Sequence, residues 1–315
     1  MAALEEFTEA EFTEVLSQQL SRLSAGTRKC PCVNPKAVLL GGQSGAGKTT
    51  LHEIFSEAFD RNVVIINGDK YRSLHPRFHG VNDAYGIDSP QHTAAWAGRM
   101  TEALIDELSK QHYNLIIEGT LRTAETPLKT AGLLRGRGYG VSLAVMAVKP
   151  EISLVSCQIR YEQMRNAGTT PRAVNPAHHQ AIVESIADNL AVLEESGVFD
   201  SIELYTRSKR RVFPREDDAG SAAQTLQQAL YGPWTAEEEY HYAFLQDMLA
   251  ALQHGRSAPA NNQSDLQSDK QQTLVGLEYA AADFQTWRQQ NSVVAGHKLS
   301  DDDLLLIELT EKHDM

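Results

Sequence analysis

The segment Gly42-Gln43-Ser44-Gly45-Ala46-Gly47-Lys48-Thr49 constrains this chain more than any other. It fits the pattern G-x-x-x-x-G-K-S/T, with the strand-like run Ala37-Val38-Leu39-Leu40 before it and a helical pattern after it. A phosphate-binding loop needs that setting. Its glycines let the backbone curl until successive N–H groups face a phosphate chain, and the following helix adds the positive end of its dipole. Lys48 would reach the β- and γ-phosphates of a nucleoside triphosphate, and the Thr49 hydroxyl would bind Mg²⁺. A glycine-rich turn without chemistry leaves Lys-Thr at the helix start unexplained.

The rest of the chain alternates in a way that suits such a loop. Short apolar runs at Val63–Ile66, Leu115–Ile117, Val141–Val148 and Ile202–Tyr205 are separated by helical patterns, for example Thr93 to Gln111 and His178 to Glu195. Strands that are apolar nearly throughout, alternating with helices, predict a parallel sheet covered on both faces. In such sheets the ligand lies beyond the C-terminal ends of the strands. Asp69, Glu118 and Thr120 follow strand ends and so become site candidates.

Asp69 has the character of a general base for an attacking hydroxyl, or of a cap for the helix or turn that follows. Glu118 stands at a Walker-B-like position, from which it would act on Mg²⁺ through water or bind substrate hydroxyls; its alternative is a turn residue. Glu102 falls within a helix, where a solvated side chain is the default. Arg160 and Arg172 flank a helix-breaking segment, Asn166-Ala167-Gly168-Thr169-Thr170-Pro171. Arginines on such a segment can close over a γ-phosphate. Arg165 fits that role equally well, and spacing does not choose among the three.

Composition narrows the partners. The net charge of −12 argues against a general nucleic-acid or anionic-membrane surface, since those partners are held largely by Lys and Arg. No apolar run approaches a membrane span, and the acidic start Met1-Ala2-Ala3-Leu4-Glu5-Glu6 lacks signal-peptide character. These features predict a soluble, cytoplasmic protein. Cys30, Cys32 and Cys157 read as reduced thiols, and Cys30-Pro31-Cys32 as part of a loop. A guanine-nucleotide switch would need Asn/Thr-Lys-x-Asp; the nearest segment, Val148-Lys149-Pro150-Glu151, departs at its first and last positions.

Several segments together resemble the zeta-toxin family of P-loop kinases from bacterial toxin–antitoxin systems. They are Leu39 to Thr50, Asn67-Gly68-Asp69-Lys70-Tyr71-Arg72, Ile117-Glu118-Gly119-Thr120-Leu121-Arg122-Thr123, Lys149-Pro150-Glu151, Ile159-Arg160-Tyr161-Glu162, and Arg172-Ala173 ahead of His178-His179. They occur in the family's order and span about residues 5–250. The resemblance implies a three-layer α/β fold of the P-loop kinase type, with a mostly parallel central sheet. It implies transfer of the ATP γ-phosphate to the 3′-hydroxyl of the sugar in UDP-N-acetylglucosamine, with Mg²⁺, which would block cell-wall precursor synthesis. On that reading the loop Gly42 to Thr50 binds ATP, Thr49 holds Mg²⁺, and Asp69 is the base. Arg160 and Arg172 serve the γ-phosphate, while Glu102, Glu118, Thr120 and Thr130 hold the nucleotide sugar. A small helical antitoxin covering the ATP site is implied as partner. The alternative is a P-loop kinase for another hydroxyl acceptor, such as an antibiotic or nucleoside.

Outside the kinase-like part, residues 3–24 predict an amphipathic helix through Leu4, Phe12, Leu16, Leu20 and Leu23. At the other end, the domain is expected to close at residue 254. A polar linker follows over 255–272, and then a short helical extension over 273–315.

Overall fold

The computed structural model describes residues 4–25, 29–169, 171, 173–214 and 220–254. The expected apolar runs become strands: β1 (Lys36–Gly41), β2 (Val64–Asn67), β3 (Leu115–Glu118), β4 (Gly140–Met146) and β5 (Ser201–Tyr205). They join in one sheet with a short sixth strand, β6 (Arg211–Phe213), in the order β2-β3-β1-β4-β5-β6. Neighbours from β2 to β5 are parallel, and β6 alone runs antiparallel, as the return of a hairpin from β5.

β1 sits in the middle, and its side chains alternate between two cores, as the period of a strand requires. Ala37 and Leu39 join Val64, Ile66, Leu115, Ile117, Leu143 and Val145 on one face. That face is covered by α1 (Glu9–Ser24), α6 (Ala94–Lys110), α7 (Glu125–Gly136), α9 (Pro176–Glu195) and α10 (Ala222–Tyr231). Val38 and Leu40 join Ile116, Ala144 and Met146 on the other face, under α2 (Thr49–Ala58), α8 (Pro150–Asn166) and α11 (Ala236–His254). Helices on both faces of a mostly parallel sheet give the expected three-layer α/β architecture. Between β2 and α6 the chain makes three shorter helices, α3 (Gly68–Tyr71), α4 (Phe78–Tyr85) and α5 (Ser89–His92).

The N-terminal helix begins later than its apolar pattern suggests, because a capping box sets its start. Thr8 Oγ1 accepts from the Glu11 backbone N–H at 3.2 Å, and Glu11 Oε2 accepts from the Thr8 N–H at 2.7 Å. The helix then docks by its aromatic side: Phe7 and Phe12 meet Trp96 of α6 edge to face, at 4.9 and 5.6 Å between centroids. The linker expected over 255–272 and the extension over 273–315 lie outside the described residues.

Candidate active site

The glycine-rich loop leaves the centre of the sheet at Gly41 and enters α2 at Thr49. Gly42, Gly45 and Gly47 all have positive φ, at 141°, 76° and 89°. At Gly45 space is closed as well as backbone: a Cβ there would sit 2.0 Å from the Ser153 carbonyl oxygen and 2.7 Å from Cys157 Sγ. α8 therefore presses directly against the loop, and only glycine allows it. Lys48 turns back over the loop, donating from Nζ to Gly42 O at 2.8 Å and Gln43 O at 3.1 Å. Gln43 itself ties the loop to the end of β4 by donating to Val148 O at 2.9 Å. Thr49 is exposed at the helix start, whereas Thr50 turns inward and is fully buried.

Strand register brings the next carboxylate to this loop. Glu118 pairs with Leu40 of β1 and with Asn67 of β2, so the ends of the three strands are level. Its carboxylate accepts from Asn67 Nδ2 at 2.6 Å, lies 3.0 Å from His52 Nε2, and lies 4.0 Å from Lys48 Nζ. The His52 approach is close, but off the line of a hydrogen bond. Burial pushes the Glu118 pKa up, but His52 and the Lys48 charge outweigh it and hold the group below the ordinary carboxylate value. Glu118 is thus an anion kept ionised beside the loop lysine.

Asp69 lies on the first turn of α3, just past β2. The cap of that helix is Asn67, whose Oδ1 accepts from the Asp69 backbone N–H at 3.0 Å. The N-cap of α3 is thus Asn67, two residues ahead of Asp69. The carboxylate of Asp69 is 57% exposed and receives Arg72 Nε at 2.9 Å. Arg72 is held in turn by the Pro90 carbonyl and by Thr93. Burial pushes the pKa of the Cys157 thiol behind the loop up, while Arg160, Lys48 and Arg207 pull it down.

Arg160 is half-buried on α8, with its Nε buried and without a hydrogen-bond partner. Arg165 is exposed in the last turn of the same helix, and Arg172 lies outside the described residues. Thr120 is half-buried in the turn after β3, which is pinned by Gly119 N donating to Leu40 O at 2.9 Å. Thr130 on α7 is half-buried. Glu102 is largely exposed and reaches Lys129, the neighbour of Thr130, at 3.6 Å.

Five participants were not expected from the sequence: His52, Asn67, Arg72, His179 and Arg207. His52 follows Lys48 by one helical turn, a spacing that could have flagged it. His179 on α9 is 2% exposed and lies 2.9 Å from Ser153 Oγ. Burial lowers its pKa, against an opposing contribution from the Ser44 backbone. Arg207 comes from the β5–β6 turn, remote in sequence, and no motif announces it.

Comparison with known proteins agrees with this geometry. A family model described as zeta toxin matches residues 23–218. The chain is 43% identical over 237 residues to the toxin PezT of Streptococcus pneumoniae, covering 75% of this chain and 93% of that protein. It is 36% identical over 232 residues to the toxin zeta of Streptococcus pyogenes, covering 73% of this chain and 80% of that one. A solved structure, from a characterization of the PezAT chromosomal toxin–antitoxin system of Streptococcus pneumoniae, superposes with a TM-score of 0.72 at 40% identity. The match covers 80% of this chain and 99% of that chain. Among the described residues, no helix is long and apolar enough to cross a membrane, and no group of three or more His, Cys, Asp or Glu side chains is placed to hold a metal by itself.

Proposed function

This chain belongs to the zeta-toxin family, and from that premise we propose that it is a kinase toxin moving the γ-phosphate of ATP to the sugar 3′-hydroxyl of UDP-N-acetylglucosamine. The observation that carries this reading is the level ending of β1, β2 and β3. It sets a phosphate loop, an ionised Glu118 and the accessible carboxylate of Asp69 side by side. A phosphoryl acceptor needs a base, and a phosphoryl donor needs a cradle with positive charge behind it.

Lys48 would exchange its bonds to Gly42 O and Gln43 O for oxygens of the β- and γ-phosphates, with little movement of its buried stem. The donor set suits Mg²⁺ bound together with a nucleotide: Thr49 offers an exposed hydroxyl at the helix start, and Glu118 an anionic carboxylate 4.0 Å from the neighbouring Lys48. Thr49 would hold the ion and Glu118 would act on it through water. Bound Mg²⁺ supplies neutralisation of the phosphate charge that develops in transfer.

Asp69 accepts the proton of the sugar hydroxyl as its oxygen attacks the γ-phosphorus in line, and ADP leaves when the bond to the β–γ bridging oxygen breaks. Arg72 holds the Asp69 carboxylate in place by donating from Nε. Arg160, whose buried Nε has no internal partner, is available to the γ-phosphoryl oxygens, with Arg172 in the same role. Glu102, Glu118, Thr120 and Thr130 would recognise the nucleotide sugar. The product could not enter cell-wall precursor synthesis. By analogy with the PezAT toxin–antitoxin system, a small antitoxin covering the nucleotide site would be the partner.

The test is incubation of purified protein with Mg-ATP and a panel of nucleotide sugars, nucleosides and aminoglycosides, with product masses as the readout. Phosphate is expected on UDP-N-acetylglucosamine. Transfer to a nucleoside or antibiotic, with none to the nucleotide sugar, would replace this reading with that of a different small-molecule kinase.

A further inference from the structure

The β5–β6 hairpin is docked on the outer side of the phosphate loop, and the residue that makes the contact is Arg207. Its turn, Thr206 to Arg210, is closed by Thr206 N donating to Arg210 O at 3.0 Å and by Lys209 N donating to Thr206 O at 3.2 Å. Two contacts hold the hairpin against α2: Lys209 pairs with Glu53, and Tyr205 meets Phe55 edge to face at 6.1 Å. Arg207 is thereby driven inward until it is 7% exposed. Its Nη2 donates to Gly45 O at 2.7 Å, and its Nε reaches Ala46 O at 3.5 Å. One planar guanidinium thus addresses the carbonyls of two consecutive loop peptides.

A trans peptide is rigid, so fixing its carbonyl fixes the N–H on its opposite side. Arg207 therefore sets the Ala46 N–H, which closes the loop on Gln43 O at 3.2 Å, and the Gly47 N–H just before Lys48. With glycines at 45 and 47 the loop has little stiffness of its own, and its shape must come from what grips it. Gln43 grips it from the end of β4, α8 closes on it at Gly45, and Arg207 holds the two peptides between. The buried guanidinium also adds positive potential behind a site meant for polyphosphate.

We propose that Arg207 is a positioning residue for the triphosphate, holding the loop in its phosphate-binding shape from the outside and so setting its affinity for the phosphate chain. This inference rests on the reading of the loop as an ATP site.

The experiment is equilibrium titration of wild type, R207K and R207M with Mg-ATP and, separately, with inorganic tripolyphosphate, alongside steady-state kinetics. Loss of two charge-assisted bonds is expected to weaken both ligands in R207M by the same factor, roughly tenfold to a hundredfold. R207K, which keeps the charge but not the fork, should fall in between. KM for ATP should rise while kcat at saturating ATP changes far less. A general packing defect would not divide the effects that way. Unchanged affinity in both variants overturns the inference, and so does a loss confined to ATP, which would mean that Arg207 serves the base. If R207M does not fold, the R207K comparison decides. Failure of the wild type to bind either ligand would instead remove the ATP reading itself, and this inference with it.

Discussion

Asp69 and Glu118 are two carboxylates on adjacent strand ends that the fold treats in opposite ways. Glu118 is 16% exposed, ringed by Asn67, His52 and Lys48, and has little freedom to meet a substrate proton. Asp69 is open to solvent and receives Arg72 Nε at 2.9 Å. On the proposed reading, that contrast favours Asp69 as the base. Asp69→Asn is expected to retain Mg-ATP binding while transfer falls by about 10²- to 10⁴-fold, measured by titration and turnover on the same preparation. Glu118 instead leaves its mark on stability. Its pKa is lower in the fold than the ordinary 4.5, so its contribution is fully present above about pH 4.5 and is lost as pH falls through the lower folded value. Melting midpoints of the wild type should drop over that acid range, and Glu118→Gln should flatten the drop. Lys48, Thr49 and Asp69 were legible in the sequence because each belongs to a short contiguous pattern at a strand end. Asn67, His52 and Arg207 were not, because their roles arise from strand register, a helix face and a hairpin far along the chain.

Among the elements, α8 shows how tightly the loop is built into its surroundings. Its Ser153 carbonyl and Cys157 thiol leave no room for a side chain at Gly45. Gly45→Ala must either strain a backbone at φ 76° or push α8 away, with an expected cost of about 1–3 kcal/mol. Nucleotide binding should be lost as well. Gly138 is the control: its φ of 80° is similar, but a Cβ there meets nothing within 4 Å. Gly138→Ala should lose stability only, with ATP affinity intact, and thermal melts with ATP titrations separate the two. The five parallel strands could be read from the sequence because their runs are largely apolar, with β1, β3 and most of β4 buried on both faces. β6 escaped notice because Arg-Val-Phe is too short and too mixed to show a period. The start of α1 shifted because a capping box, Thr8 with Glu11, overrides the apolar spacing upstream of it.

For the whole molecule, one sheet with two covered faces brings together residues from Gly42 to Arg207, and the site depends on that complete wrapping. The solved PezAT-system structure matches 80% of this chain over 99% of its own length. We propose that residues up to His254 suffice for the kinase. A chain ending there is expected to fold and to turn over at a rate close to that of the full chain; circular dichroism and kinetics check this. The acceptor was the part least legible in the sequence. Glu102 is largely exposed, and at such a position side-chain chemistry alone does not name a sugar. The most direct test of the account is therefore the product that the full chain makes from Mg-ATP and UDP-N-acetylglucosamine, with the phosphate located by mass and phosphorus NMR. The account expects ADP and a single added phosphate on the 3′-hydroxyl of the sugar, with both lost in Asp69→Asn. Unmodified nucleotide sugar, a phosphate at another position, or undiminished transfer by Asp69→Asn would contradict it.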